Sequence, residues 1–203
     1  MRLYSLILCA LFAALTAAGS LFRIPIPGTL LVFTLQTFFV FLSGFMLKPK
    51  YAMLSQVVYI AVGLLGLPVF STGGGVAYVF TPSFGFLIGF IACAGLLSLL
   101  TRKDLLALTA EKTHRFRRIA RVTASGLTAI LAMYVIGIAY MYIVLRFYLN
   151  DPRTLGEVAI AGTGVFVFID IAKLAVAIPL AAAVLRRLPL AATGSGKAAS
   201  RNE

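Results

Sequence analysis

Six long stretches of this chain are apolar on every side, at roughly residues 4–22, 30–47, 51–67, 84–100, 122–147 and 158–185. They do not alternate with the two-residue period of a half-buried strand. Nor do they show the single apolar stripe of a helix lying on a soluble core. About 20 apolar residues cross a bilayer as a helix, whereas a barrel strand needs about ten residues of alternating character. The pattern therefore predicts an all-α membrane protein with six transmembrane helices. The polar intervals are too short to hold a soluble domain. Residues 1–190 are read as a single six-helix transmembrane domain, and residues 191–203 as a polar C-terminal tail.

Composition supports this reading. Of 203 residues, 61% are hydrophobic and only 12% charged, about half the charged share of an average soluble domain. Too few polar side chains remain to cover a surface facing water. The first run imitates a signal peptide, with Arg2 ahead of an apolar stretch and small residues at Ala17-Ala18-Gly19-Ser20. An uncleaved helix is favoured because the small residues have another use. Ala10, Ala14 and Ala18 form a flat stripe that permits close helix contact, either inside the bundle or with another membrane subunit. Cys9 and Cys93 lie within apolar runs without metal-ligand spacing and read as packing residues.

The net charge of +12 is placed for membrane topology, not for nucleic acid. With six helices, both termini share one face. That face carries Arg2, Lys48, Lys50, the seven Lys and Arg between 102 and 121, Arg186, Arg187, Lys197 and Arg201: 14 in all. The other face has 3, namely Arg23, Arg146 and Arg153. An excess of this kind marks the cytoplasmic side, so both termini are expected there. The dense patch from Arg102 to Arg121 reads as an anchor beside anionic lipid headgroups or a docking surface for a cytoplasmic partner. His114, within it, reads as solvated.

Four features do not belong in plain lipid. Asp170 and Lys173 sit in the middle of the last run, where each costs about 2.5–3.5 kcal/mol on insertion scales. Spaced three apart, they share a helical face and must point inward, as a structural ion pair or as a site for a ligand bearing both donors and acceptors. Gln36 calls for a partner in a neighbouring helix or a ligand. The connection from Gly63 to Gly85 is apolar yet rich in Gly and Pro, with Gly73, Gly74 and Gly75 in succession. It reads as a mobile loop or as a lid over an outward-facing pocket, since irregular backbone at membrane depth is tolerated where protein covers it or a cavity adjoins it. The alanine stripe is the fourth.

Enzymatic machinery is not legible. The single His lies in a polar connection, no HExxH or GxSxG occurs, and no GxxxxGK[ST] phosphate loop is present. No cofactor or metal is expected. At 203 residues, without an evident inverted repeat, the chain is small for a self-sufficient secondary transporter. A binding subunit that borrows energy from partners fits better.

The segments Leu11-Phe-Ala-Ala-Leu-Thr-Ala-Ala-Gly19, Arg23-Ile-Pro-Ile-Pro27, Thr34-Leu-Gln-Thr37, Gly63-Leu-Leu-Gly-Leu-Pro-Val-Phe70, Gly73-Gly-Gly75 and Phe86-Leu-Ile-Gly-Phe90 occur in the order of the BioY family. With Asp170-x-x-Lys173, the chain resembles this biotin-specific S component of energy-coupling factor (ECF) transporters. The likeness runs from Leu11 to Lys173. It implies an S-component-like bundle in a bacterial plasma membrane, capturing biotin from outside, with a transmembrane T subunit and two cytoplasmic ATPase subunits as partners. It also implies T-subunit docking through Ala10, Ala14 and Ala18, and biotin binding by Asp170 and Lys173. Gln36, Gly73, Gly74, Gly75, Tyr78, Phe84 and Phe86 complete the expected site, the aromatic rings covering the thiophane. Where the family often has Pro-Thr-Gly-Gly-Tyr, this chain reads Pro82-Ser-Phe-Gly-Phe86. An S component for another vitamin, such as thiamine or riboflavin, is the alternative.

Overall fold

The computed structural model describes residues 2–29, 31–110 and 115–187. The tail at 191–203 and His114, both interpreted above, lie outside the described residues. Among the described residues, six α-helices form one helical unit: α1 (Arg2–Leu21), α2 (Gln36–Met46), α3 (Pro49–Leu64), α4 (Phe84–Ala110), α5 (Arg115–Ile143) and α6 (Leu155–Arg187). A two-stranded antiparallel hairpin, β1 (Arg23–Pro25) and β2 (Val32–Thr34), joins α1 to α2.

Among the described residues, four stretches are long and apolar enough to cross a bilayer: Leu3–Leu21, Phe84–Ala107, Phe116–Tyr148 and Leu155–Arg187. The second run departs from expectation. Its helix has only 11 residues, about 16 Å at 1.5 Å per residue, about half of a bilayer core. The cause lies just upstream. Val32–Thr34 pairs with Arg23–Pro25, and a residue held in a strand cannot also begin a helix. Pro25 and Pro27 supply no N–H for helical bonding, and Gly28 turns the chain with φ of +80°. The Leu35 amide then bonds the Gly19 carbonyl at 3.0 Å, tying the hairpin to the end of α1. The third helix has 16 residues and begins at Pro49, at a position where a missing N–H costs nothing.

Packing follows the small residues. Helices α4 and α5 lie side by side, with Gly89 against the Met133 backbone and Gly137 under the Phe86 ring. Helix α2 sits among α1, α4 and α6. Buried polar groups join neighbours where hydrocarbon offers no water. Gln56 Nε2 donates to Ser43 Oγ at 3.2 Å, and Ser98 Oγ to the Leu47 carbonyl at 2.6 Å. Cys9, Phe12 and Ala13 place one face of α1 in the core, so α1 is part of the fold. Leu3, Ile7, Leu11 and Leu21 face outward, as suits lipid. Helix α6 opens on a capping box: Glu157 accepts from the Thr154 amide at 2.7 Å. It kinks at Gly164, where the backbone leaves helical geometry, and the segment beyond carries Asp170.

Candidate ligand-binding site

Asp170 is 4% exposed, on the face of α6 that also buries Phe166 and Leu174. Three donors hold its carboxylate. Oδ1 accepts from Thr37 Oγ1 at 2.6 Å and from Lys173 Nζ at 3.0 Å, and Oδ2 accepts from the Tyr134 hydroxyl at 2.9 Å. A carboxylate has about four acceptor positions, so one remains, on Oδ2. Lys173 Nζ also donates to the Thr34 carbonyl and to Thr37 Oγ1, each at 2.7 Å, and it lies 4.8 Å from the centre of the Phe33 ring. Its three hydrogens are therefore all engaged. The pair is not isolated: it joins α6 to α2, α5 and β2 through one polar network.

Beside this network lies a cavity of about 70 Å³, room for a few water molecules. Thr34, Gln36, Thr37, Asp170 and Lys173 form its polar side; Phe86, Leu87, Phe90, Met133 and Phe166 form its apolar side. Ser71, Tyr78 and Ser83 also line it. The Tyr78 hydroxyl bridges Ser71 Oγ at 3.0 Å and Ser83 Oγ at 3.1 Å. Gln36 Oε1 accepts from Thr34 Oγ1 at 3.0 Å, and Gln36 Nε2 donates to the Tyr59 hydroxyl. One amide N–H of Gln36 is thus left for the cavity.

The connection after α3 is anchored over this site. Phe70 is 2% exposed, seated on Gly63, where any Cβ would lie 2.2 Å from its ring. The Gly75 amide bonds the Gly63 carbonyl at 2.7 Å, and Phe70 and Gly73 form a small antiparallel bridge. The Tyr59 hydroxyl donates to the Val69 carbonyl at 3.0 Å. A 3-10 turn, Val76–Phe80, follows, and Tyr140 donates to the Val79 carbonyl at 2.5 Å. From the hairpin, Arg23 reaches across to the Ser71 carbonyl at 3.0 Å.

Of the residues expected at a site, Asp170, Lys173, Gln36, Tyr78 and Phe86 line the cavity. Gly73, Gly74, Gly75 and Phe84 do not; the glycines shape the connection, and Phe84 packs between Tyr78 and Tyr140. Ala10, Ala14 and Ala18 lie on the exposed face of α1, so their stripe is not internal packing.

The sequence matches the BioY family over residues 1–190. The chain belongs to the BioY family. It is 38% identical over 159 residues to a probable biotin transporter BioY of Lysinibacillus sphaericus, covering 78% of this chain and 74% of that one. It is likewise 38% identical over 173 residues to the biotin transporter BioY of Thermotoga maritima, covering 85% and 90%. A solved structure described as the S-component for biotin from an ECF-type ABC transporter matches with a TM-score of 0.73 at 24% identity, over 93% of each chain. The chain is thus a membrane transport protein of this family with the S-component fold.

Sequence reasoning did not single out Thr34, Thr37 or Tyr134 as site residues. Tyr134 carried a usable signal. Tyr side chains in membrane helices concentrate at the interfaces, and this one lies mid-span with a hydroxyl that needs a partner. Thr37 left less trace, because a Thr in a membrane helix can bond its own backbone.

Proposed function

We propose that this protein is the biotin-binding subunit of an ECF transporter in a bacterial plasma membrane. The observation that carries the reading is the buried Asp170–Lys173–Thr37–Tyr134 network beside an apolar pocket. Biotin's ureido ring has two N–H donors and one carbonyl. The remaining Oδ2 position of Asp170 accepts a ring N–H. The Gln36 amide, or Lys173 after exchanging one of its present acceptors, donates to the carbonyl. Phe86, Phe90 and Phe166 cover the thiophane, and the acidic tail runs toward the hydroxyls of Ser71, Tyr78 and Ser83. A permanent cation such as thiamine would meet the Lys173 ammonium.

On this reading six helices reach across the membrane, α2 being completed by the hairpin, and both termini are cytoplasmic. Ala10, Ala14 and Ala18 contact a transmembrane T subunit, and two ATPase subunits supply the energy. The chain binds its ligand without altering it. Calorimetric titration of the purified protein with biotin tests the reading, with thiamine and riboflavin as controls. Saturable 1:1 binding of biotin, recovered unchanged, supports it; no binding, or preference for a control vitamin, refutes it.

A further inference from the structure

Arg23 stands between two elements that line the cavity. Strand pairing sets it opposite Thr34. Side chains directly opposed in an antiparallel pair leave the ribbon on the same face, with Cβ atoms about 5 Å apart. Its guanidinium then crosses to the glycine-rich connection, where Nη1 donates to the Ser71 carbonyl at 3.0 Å. Thr34 and Ser71 both line the cavity. The Arg23 side chain therefore starts beside one lining residue and ends on another. It is itself exposed, which puts its charge at the solvent edge of the cavity.

That charge meets no counter-charge among the described residues. Asp104, Asp151 and Asp170 pair with Arg121, Arg153 and Lys173, whereas the Arg23 contact is a neutral carbonyl. A guanidinium has five N–H donors in a planar fork. One is given to Ser71, and a parallel pair remains available for a bidentate bond to a carboxylate.

The interior of the cavity is less suited to an acid. Asp170 repels a second carboxylate, and the three hydrogens of Lys173 are already engaged. The hydroxyls of Ser71, Tyr78 and Ser83 bond one another and bring no charge. We infer that Arg23 is a specificity-determining residue: it binds the carboxylate of the ligand's tail at the cavity edge, so that the free acid is preferred over its amides. The inference rests on the biotin reading above and adds the residue that senses the charge of the tail.

Calorimetric titration with biotin and with biotinamide tests it, since the two share ring and chain and differ in the charge of the tail. The parent protein should bind biotin about tenfold more tightly than biotinamide, the worth of one charged hydrogen bond. Arg23→Gln should lower biotin affinity about tenfold and leave biotinamide within twofold, removing the preference. Arg23→Lys, which keeps the charge without the fork, should retain part of it. Equal losses for both ligands would mean that Arg23 only straps the hairpin to the connection, and would overturn the inference. So would unchanged biotin affinity in Arg23→Gln, or a parent protein that binds acid and amide alike; either result leaves the biotin reading intact. A parent protein that binds neither ligand refutes that reading, and the inference with it.

Discussion

Asp170 is a carboxylate in a membrane helix on which three donors converge. Hydrogen bonds to charged groups contribute about 1.5–3 kcal/mol, and 1.4 kcal/mol is a factor of ten in affinity. Asp170→Asn replaces an acceptor with an N–H₂ that would face Thr37 and Lys173, or Tyr134. Biotin affinity should fall more than tenfold by calorimetry, with the purified variant still helical and monodisperse. A purely structural pair would instead lower the melting temperature and leave affinity unchanged. Lys173→Met in the same background removes the other charge, so the double variant should melt above Asp170→Asn while binding no better. The pair's spacing and its cost in hydrocarbon were legible in the sequence. Its partners were not: Thr37 and Tyr134 are 133 and 36 residues away, and only the packing of α2 and α5 on α6 brings them in.

At the level of elements, the Gly-rich connection is a fixed cover and not a loose loop. Gly74 shows why the glycines are needed. A Cβ there would lie 2.1 Å from the Leu67 carbonyl oxygen, and backbone cannot yield as a side chain can. Gly74→Ala should therefore displace Ser71 and Tyr78 from the cavity, reducing biotin affinity about tenfold, the cost of one misplaced charged hydrogen bond, with helix content unchanged. Affinity within twofold of the parent would show that the connection does not shape the pocket. The sequence flagged these glycines through their run, and the structure shows the backbone role they play in the connection. The hairpin escaped detection for a related reason. Three-residue strands within an apolar stretch carry no period distinct from helix, and Pro25, Pro27 and Gly28 were the only punctuation. Helix α1 makes a separate prediction. Its alanine stripe is exposed, so Ala14→Trp should leave biotin binding intact and abolish uptake in cells carrying the energy-coupling subunits. Normal uptake would free this face from any docking role.

Over the whole molecule, charge and fold must agree on orientation. The basic residues gather where α4 meets α5 and where α6 ends, whereas the cover over the cavity belongs to the end with Arg23, Arg146 and Arg153. At the first of these ends Arg118 donates to the Ala107 carbonyl at 2.9 Å and Arg121 pairs with Asp104, closing the α4–α5 hairpin at its charged tip. On the proposed orientation such an excess resists translocation and stays cytoplasmic, and the cavity's cover then lies outside, where a scarce solute arrives. Two exposed positions report on this. Val76 follows the glycine run and is 71% exposed; Phe116 starts α5 and is 86% exposed. Neither replacement by Cys removes a packed side chain, and the native Cys9 and Cys93 are 3% and 0% exposed, so background reaction should be slow. In intact cells a membrane-impermeant maleimide should modify Val76→Cys at once and Phe116→Cys only after permeabilisation. The reverse pattern would put the cavity's cover in the cytoplasm, and a subunit so oriented could not capture a vitamin from outside whatever its affinity for biotin.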